Sequence, residues 1–405
     1  MTVKMTRRTA AKMIGGAIGG ALAAPMILGR AAAANPVKVG MIYTTSGVFA
    51  SSGDIMSKSA KLFLKHEAPA ILGDHTIELI ERDDTGPNPD VAKRLATELI
   101  TRDRVNFIAG LQWTPNTNAI APVLTAGKTP GVIMNATGAV TTRLSPYLVR
   151  FSQTLWQSCY YMGVWAARNR MKKAYVLVTD FSPGHDAEAA FHLGFTESGG
   201  EVIEQVRMPI RNPDFTPFLQ RVLDANPDAL FCFNPGGPQA TTFMRAYAEL
   251  GLRDKGIKLI GSGYLTGDDE LPNMGAAAEG VFTSHFYSAA AERPANQHFR
   301  DLWQAEYGDV LWNELAIGTW DGMAAICQAV AETNGADDSD AVIESLRRFW
   351  TKDSPRGTVQ IDSETRDIIQ NIYIREVKMV DGVPQNIEFE TFESVKDPWK
   401  ERNPA

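Results

Sequence analysis

From Val37 onward, short apolar runs alternate with longer amphipathic stretches, and few folds accommodate that rhythm. The runs are Val37–Tyr43, Thr76–Ile80, Val105–Gly110, Gly131–Met134 and, less regular, Tyr147–Phe151. A second series follows at Ala174–Val178, Glu201–Val206, Ala229–Phe233, Lys258–Ile260 and Val281–Phe286. Between the first two runs, Ile55, Ser59, Leu62 and Phe63 recur at helical spacing with lysines on the other faces; Val91, Leu95, Leu99 and Ile100 repeat the pattern. Strand–helix alternation joins parallel strands and predicts sheets covered by helices on both faces. Ten strands in two sets of five, over 405 residues, suit two similar α/β lobes better than one sheet. A later stretch, Pro294 to Trp350, carries three helical patterns and no convincing strand. The tail returns to strands at Thr358–Ile361 and Ile369–Val377, with a turn at Asp381-Gly382.

Charge is distributed unevenly. The whole chain is net −7, yet residues 1–34 hold five basic residues and no acidic one. Without them 35 basic residues face 47 acidic ones, net −12, so there is no basic footprint for nucleic acid. Residues 1–34 read as an export signal. A charged segment carries the pair Arg7-Arg8, an apolar stretch runs from Met13 to Leu28, and Ala31 to Ala34 offers a cleavage site after Ala34. The apolar stretch is shorter than the ~20 residues of a membrane span and is diluted by glycines. The arginine pair resembles the twin-arginine export signal, although Ala10 and Ala11 stand where bulkier residues are usual. A soluble, periplasmic mature protein is expected. Cys159, Cys232 and Cys327 sit in apolar runs and form no disulfide framework.

Local catalytic signatures are missing. The first strand is not followed by G-x-G-x-x-G, no phosphate-binding loop occurs, and Gly261-Ser262-Gly263 lacks the spacing of a nucleophile elbow. The six histidines show no helical zinc pair, and acidic doublets such as Asp83-Asp84 fall in turns. These observations argue against an enzyme, and no metal or cofactor is expected. Polar and aromatic residues gather instead at the ends of the expected strands, where ligands bind in open α/β sheets. The first set gives Thr44 to Phe49, Gln112-Trp113-Thr114, Asn135 to Gly138, and Ser152 to Trp156. The second gives Asp180 to Gly184, Asn234 to Gly237, and Gly261 to Tyr264. Small hydroxyl residues beside glycines, just before helix starts, leave backbone N–H donors for a carboxylate.

The mature chain resembles the leucine/isoleucine/valine-binding family of periplasmic solute receptors for ABC importers. Thr45-Ser46-Gly47-x5-Gly53 is similar to that family's first ligand loop, and Arg82-Asp83-Asp84-Thr85 with Pro89 to its second strand and turn. Asp180 to Gly184, Asn212-Pro213-Asp214-Phe215, Asp321-Gly322-Met323 and the strand from Gly357 to Asp362 follow in the family's order. The resemblance implies two Rossmann-like lobes with parallel sheets, joined by a three-crossing hinge that closes on a ligand. One lobe would comprise residues 35–153 and 287–355, the other 154–286 and 356–405. It implies a small-molecule ligand and a membrane permease as partners. By position, Ser46, Phe49 and Ser52 belong to the first loop, Trp113 and Thr114 to the next, and Asn135, Ala136 and Thr137 to the carboxylate grip. Trp156, Pro183, Gly236 and Tyr264 complete the expected contacts. Amino-acid binders of the family place an acid near Tyr264, and a tyrosine where Pro183 stands. Both departures, together with Phe49, Trp113, Trp156 and Tyr264, point to an aromatic or other apolar carboxylate rather than leucine. The alternative is that these aromatics are lobe core and that Asp268 or Asp269 folds back to meet an ammonium. A sensory module of the same fold and an exported α/β enzyme are the competing functions.

Overall fold

The computed structural model describes residues 36–404; the expected export segment, with Arg7, Arg8 and the cleavage position Ala34, lies outside them. Ten strands of two series appear first in the chain: β1 Val37–Tyr43, β2 Ile77–Asp83, β3 Phe107–Gly110, β4 Gly131–Ile133, β5 Leu148–Arg150, β6 Lys173–Thr179, β7 Glu201–Met208, β8 Ala229–Phe233, β9 Lys258–Ser262 and β10 Phe282–His285. Four more follow: β11 Trp350–Thr351, β12 Val359–Ile361, β13 Ile368–Val380 and β14 Val383–Val395. The first sheet has the order β2-β1-β3-β4-β5 and is parallel throughout. The second repeats that order as β7-β6-β8-β9-β10, also parallel, and is extended by antiparallel β13, β12, β11 and β14.

The central strands are apolar because both faces are covered. Val39 and Met41 of β1 and all of β8 are buried. The helices Pro294–Tyr307, Glu314–Glu332 and Ser339–Arg347 pack into the core of the first sheet, where Trp320 meets Phe63 edge-on at 4.9 Å. The chain therefore passes between the two sheets three times: after β5, after β10, and before β11. Asp381-Gly382, both at positive φ, turn β13 into β14.

Three fully buried arginines brace the crossings. Arg150 donates to Asp367 (2.8 Å) and to the carbonyl of Ala136. Arg356 joins Asp321 (2.7 Å), Gln370 (2.8 Å) and the Phe151 carbonyl (2.5 Å), tying the third crossing to the first. Arg375 of β13 donates to the carbonyls of Tyr287 and Gly263. A buried arginine is tolerated only when its donors are spent, and here they are spent on carboxylates, on backbone carbonyls, on the Gln370 amide and, at Arg375, on the hydroxyls of Thr266 and Thr283.

Each sheet also seats its first crossover helix closely on its first strand. A Cβ at Gly53 would lie 2.0 Å from the Thr44 carbonyl oxygen, and one at Gly184 would lie 1.8 Å from that of Thr179. Only glycine permits those approaches, so the matching positions in the two lobes are dictated by packing.

Candidate ligand site between the lobes

In a 2-1-3-4-5 sheet the strand order reverses between the first and third strands, and the crevice opens at their carboxyl ends. The loops after β1 and β3 face those after β6 and β8 here. A buried polar network fixes the first-lobe wall. Thr44 donates its backbone N–H to Gln112 Oε1 (3.0 Å) and its hydroxyl to Asp84 Oδ1 (2.6 Å). The Trp113 indole N–H donates to the Thr44 hydroxyl (2.8 Å), and Asn116 donates to the second Asp84 oxygen (2.9 Å). Desolvation pushes the Asp84 carboxyl up, against the hydrogen bonds from Thr44 and Asn116. The indole plane is thus set by its polar edge, and Phe49 packs edge-on against it at 4.8 Å.

Thr114 opens the helix Thr114–Gly127. Its hydroxyl oxygen accepts from the backbone N–H groups of Thr137 (3.1 Å) and Gly138 (3.0 Å). The hydroxyl proton is left to donate elsewhere. Asn135 donates to the Gln112 carbonyl (3.0 Å), and the Ala136 carbonyl is held by Arg150 and by Ser152 (3.1 Å).

The second-lobe wall is aromatic. Phe181 and Phe233 stack at 6.0 Å, and Tyr264 stands edge-on to Phe233 at 6.2 Å. Gly263 lies flush against the His285 ring, where a Cβ would come within 2.1 Å. Burial raises the Tyr264 phenol far above its ordinary range, so it remains a donor. It donates to Asn135 Oδ1 across the cleft (3.2 Å), and the Ala139 N–H donates to Asp186 of the second lobe (3.1 Å). Behind Tyr264, His285 Nδ1 lies 2.9 Å from Gln153 Nε2, and His285 Nε2 lies 3.7 Å from Glu314. Desolvation keeps that imidazole neutral and pushes the Glu314 carboxyl up to about 7.

Ten residues enclose the inner slot: Gln112, Trp113, Thr114, Asn135, Thr137, Phe181, Pro183, Phe233, Pro235 and Tyr264. None is charged. The space between them is about 30 Å³, room for about one water, so a ring enters only as the lobes part. Six expected residues, Trp113, Thr114, Asn135, Thr137, Pro183 and Tyr264, line this slot. Ser46 and Phe49 line a wider cleft of about 650 Å³. Ser52, Ala136, Trp156 and Gly236 line neither: Trp156 is packed in the second-lobe core, and Gly236 turns the loop after β8 with φ 82. Gln112, Phe181 and Pro235, from the strand-end stretches singled out in the sequence and each two residues past its strand, also join the wall; Phe233, the last residue of β8, joins it unexpectedly. Asp268 does not turn to the slot. It accepts from Asn386 (2.8 Å) and the Ala289 N–H (3.2 Å) and lies 3.9 Å from Arg375. Asp269, whose carboxyl burial pushes up to about 7, also stays off the wall. Among the described residues no cluster of His, Cys, Asp or Glu could hold a metal, and no helix is long and apolar enough to cross a membrane.

Two doubly wound lobes, crossed three times and facing each other across an uncharged aromatic slot, define a solute-binding receptor of the two-lobe type. The chain belongs to the periplasmic binding protein family, whose model matches residues 36–383. The Leu/Ile/Val-binding protein homolog 6 of Brucella melitensis is 38% identical over 383 residues, covering 93% of this chain and 97% of that protein. A solute-binding protein of an ABC transporter from Rhodopseudomonas palustris BisB5, in complex with 3,4-dihydroxybenzoic acid, is 45% identical. Its TM-score is 0.86, covering 90% of this chain and 99% of that one. Another from R. palustris, in complex with 4-hydroxybenzoate, is 37% identical with a TM-score of 0.86 over the same shares. The family expected from the motifs and the two-lobed α/β fold are those found. It is a family of solute-binding proteins and not one of enzymes.

Proposed function

We propose that this chain is an exported receptor that captures an aromatic carboxylate, of the hydroxybenzoate class, between its lobes and delivers it to the permease of an ABC importer. The observation that carries this is the slot wall: four aromatic side chains, polar groups at one end, and no charged residue. An α-amino acid would bring an ammonium with no acidic partner, and desolvating it would cost several kcal/mol. One buried ring of ~150 Å² at ~25 cal/mol per Å² contributes roughly 4 kcal/mol, about half of what micromolar affinity requires. The Thr114 hydroxyl supplies the carboxylate end, with Asn135 and Thr137 beside it and Trp113, Pro183 and Tyr264 against the ring; the backbone N–H groups of Ala136 and Thr137 are spent within the first lobe, on Leu111 and Thr114. Ser46 and Phe49 belong to the loop at the entrance, Ser52 to the helix Ala50–His66 that follows it, Ala136 and Gly236 shape their turns, and Trp156 supports the wall from the core. The hydroxybenzoate complexes of the 45% and 37% identical proteins support the same ligand class.

In this reading residues 1–34 are a twin-arginine signal cleaved after Ala34, and the mature protein works in the periplasm. The first lobe is residues 35–153 with 287–349, and the second 154–286 with 350–405, the third crossing falling ahead of β11 rather than at 355–356. Calorimetry on the chain beginning at Asn35 tests the ligand class. Micromolar binding of 3,4-dihydroxybenzoate or 4-hydroxybenzoate is expected, with leucine at least a hundredfold weaker. Leucine binding more tightly than either acid would overturn it.

A further inference from the structure

Three consecutive residues, Gln112, Trp113 and Thr114, line the inner slot, which the alternation of a regular strand does not allow. Leu111 makes it possible. It follows β3, is buried, and stands at φ 48, a conformation that a side chain as bulky as leucine adopts only where its surroundings impose it. Here they do: its N–H donates to the Ile42 carbonyl (2.9 Å), and its carbonyl accepts from the Ala136 N–H (3.0 Å). The chain turned by Leu111 then pairs with the loop after β4. Asn135 donates to the Gln112 carbonyl and the Thr137 N–H to the Thr114 hydroxyl, so residues 112 and 114 face 135 and 137.

Gln112 carries a donor that the fold leaves unused. The Thr44 N–H can only donate, so the atom it meets at 3.0 Å is the amide oxygen, and that bond fixes which way the amide turns. The amide nitrogen makes no hydrogen bond among the described residues. It is not one of the sealed polar atoms either, unlike Gln153 Oε1, and it opens on the slot that Gln112 lines. Trp113 between the two is extended (φ −107, ψ 131), which sets Gln112 and Thr114 about 6.5 Å apart along the chain. Two hydrogen bonds of about 2.8 Å with a carboxylate between them cover that distance. We infer that Gln112 Nε2 is a second carboxylate donor of the slot: one ligand oxygen accepts from the Thr114 hydroxyl and the other from the Gln112 amide. The same NH2 sets specificity, because it matches an anionic oxygen and meets the amino group of a carboxamide donor to donor. This rests on the aromatic-acid reading of the slot and names the residue that enforces it.

Gln112→Glu keeps the oxygen that Thr44 needs and replaces only the free NH2, by a carboxylate oxygen at pH 8. The test is calorimetric titration of 4-hydroxybenzoate and 4-hydroxybenzamide, at that pH, into the mature chain and into this variant. The unaltered chain is expected to bind the acid at least tenfold more tightly than the amide. Gln112→Glu should weaken the acid by at least tenfold and hold the amide at least as tightly as before, so that the preference inverts. If the glutamate variant does not fold, Gln112→Met takes its place and should weaken the acid about tenfold while leaving the amide within threefold. An acid that binds, with the amide equally tight in the unaltered chain, overturns the inference and leaves the slot reading intact. So does a variant that weakens both ligands by the same factor, or neither. Failure of both ligands to bind the unaltered chain overturns the slot reading and the role of Gln112 with it.

Discussion

At the residue scale the site depends on groups whose polar edges are fixed from behind. Thr114 is the sharpest case, because its oxygen accepts from two backbone N–H groups and its proton is left for a ligand. Thr114→Ala orphans both donors and removes the third bond, each worth about 1–2 kcal/mol when buried. Affinity for 4-hydroxybenzoate should fall about tenfold to a hundredfold, while Thr114→Ser stays near the unaltered value; equal affinity for all three would remove Thr114 from the site. Glu314, beside the neutral His285, gives a pH signature. Loss of water pushes its carboxyl from 4.5 up to about 7, so the fold prefers the protonated form. Its contribution to stability is complete below about pH 4.5 and is lost as pH rises through about 7. Glu314→Gln keeps the neutral shape, so its stability relative to the unaltered protein should climb between pH 5 and pH 8, by on the order of 2–3 kcal/mol. Chemical denaturation at both pH values checks this, and a difference that does not change with pH would contradict it.

Elements were legible where both faces are buried. β8 was readable from end to end as an uninterrupted apolar run, and β1 nearly so, broken only by Lys38 near its start. β14 was not, since Pro384, Asn386 and five half-exposed or exposed acidic and aromatic residues along it break the pattern; its long pairing with β13 supplies what propensity does not. Trp350 reads as the end of a helical stretch, yet it forms a two-residue strand on the second sheet. The slot residues were visible as a class because they follow strand ends. Which of them face inward was not: Trp156 stands one residue into the helix Leu155–Arg168, and the helix turns it into the core. The helix Ser182–Glu197 is a further test at this scale. Gly184 seats it against the end of β6, and a methyl group there would meet a backbone oxygen. Gly184→Ala should destabilise the protein by on the order of 2–3 kcal/mol, read as a lower urea midpoint, and should also weaken ligand binding because Pro183 moves with the helix. An unchanged midpoint would contradict the close seating.

At the scale of the whole molecule, the three-arginine hinge and the two cross-lobe bonds describe a receptor closed at its inner end. Export, proposed from residues 1–34, is tested separately. Replacing Arg7 and Arg8 together by lysine should leave the precursor in the cytoplasm, as fractionation would show, whereas normal export would leave only a general secretory signal. The ligand site itself is tested most directly by a crystal structure of the mature protein grown with 3,4-dihydroxybenzoate. The ring is expected between Trp113, Phe181, Phe233 and Tyr264, with the carboxylate within hydrogen-bonding distance of the Thr114 hydroxyl and no acidic side chain against it. A ligand bound elsewhere, or a carboxylate turned away from Thr114 toward the second-lobe wall, would contradict it.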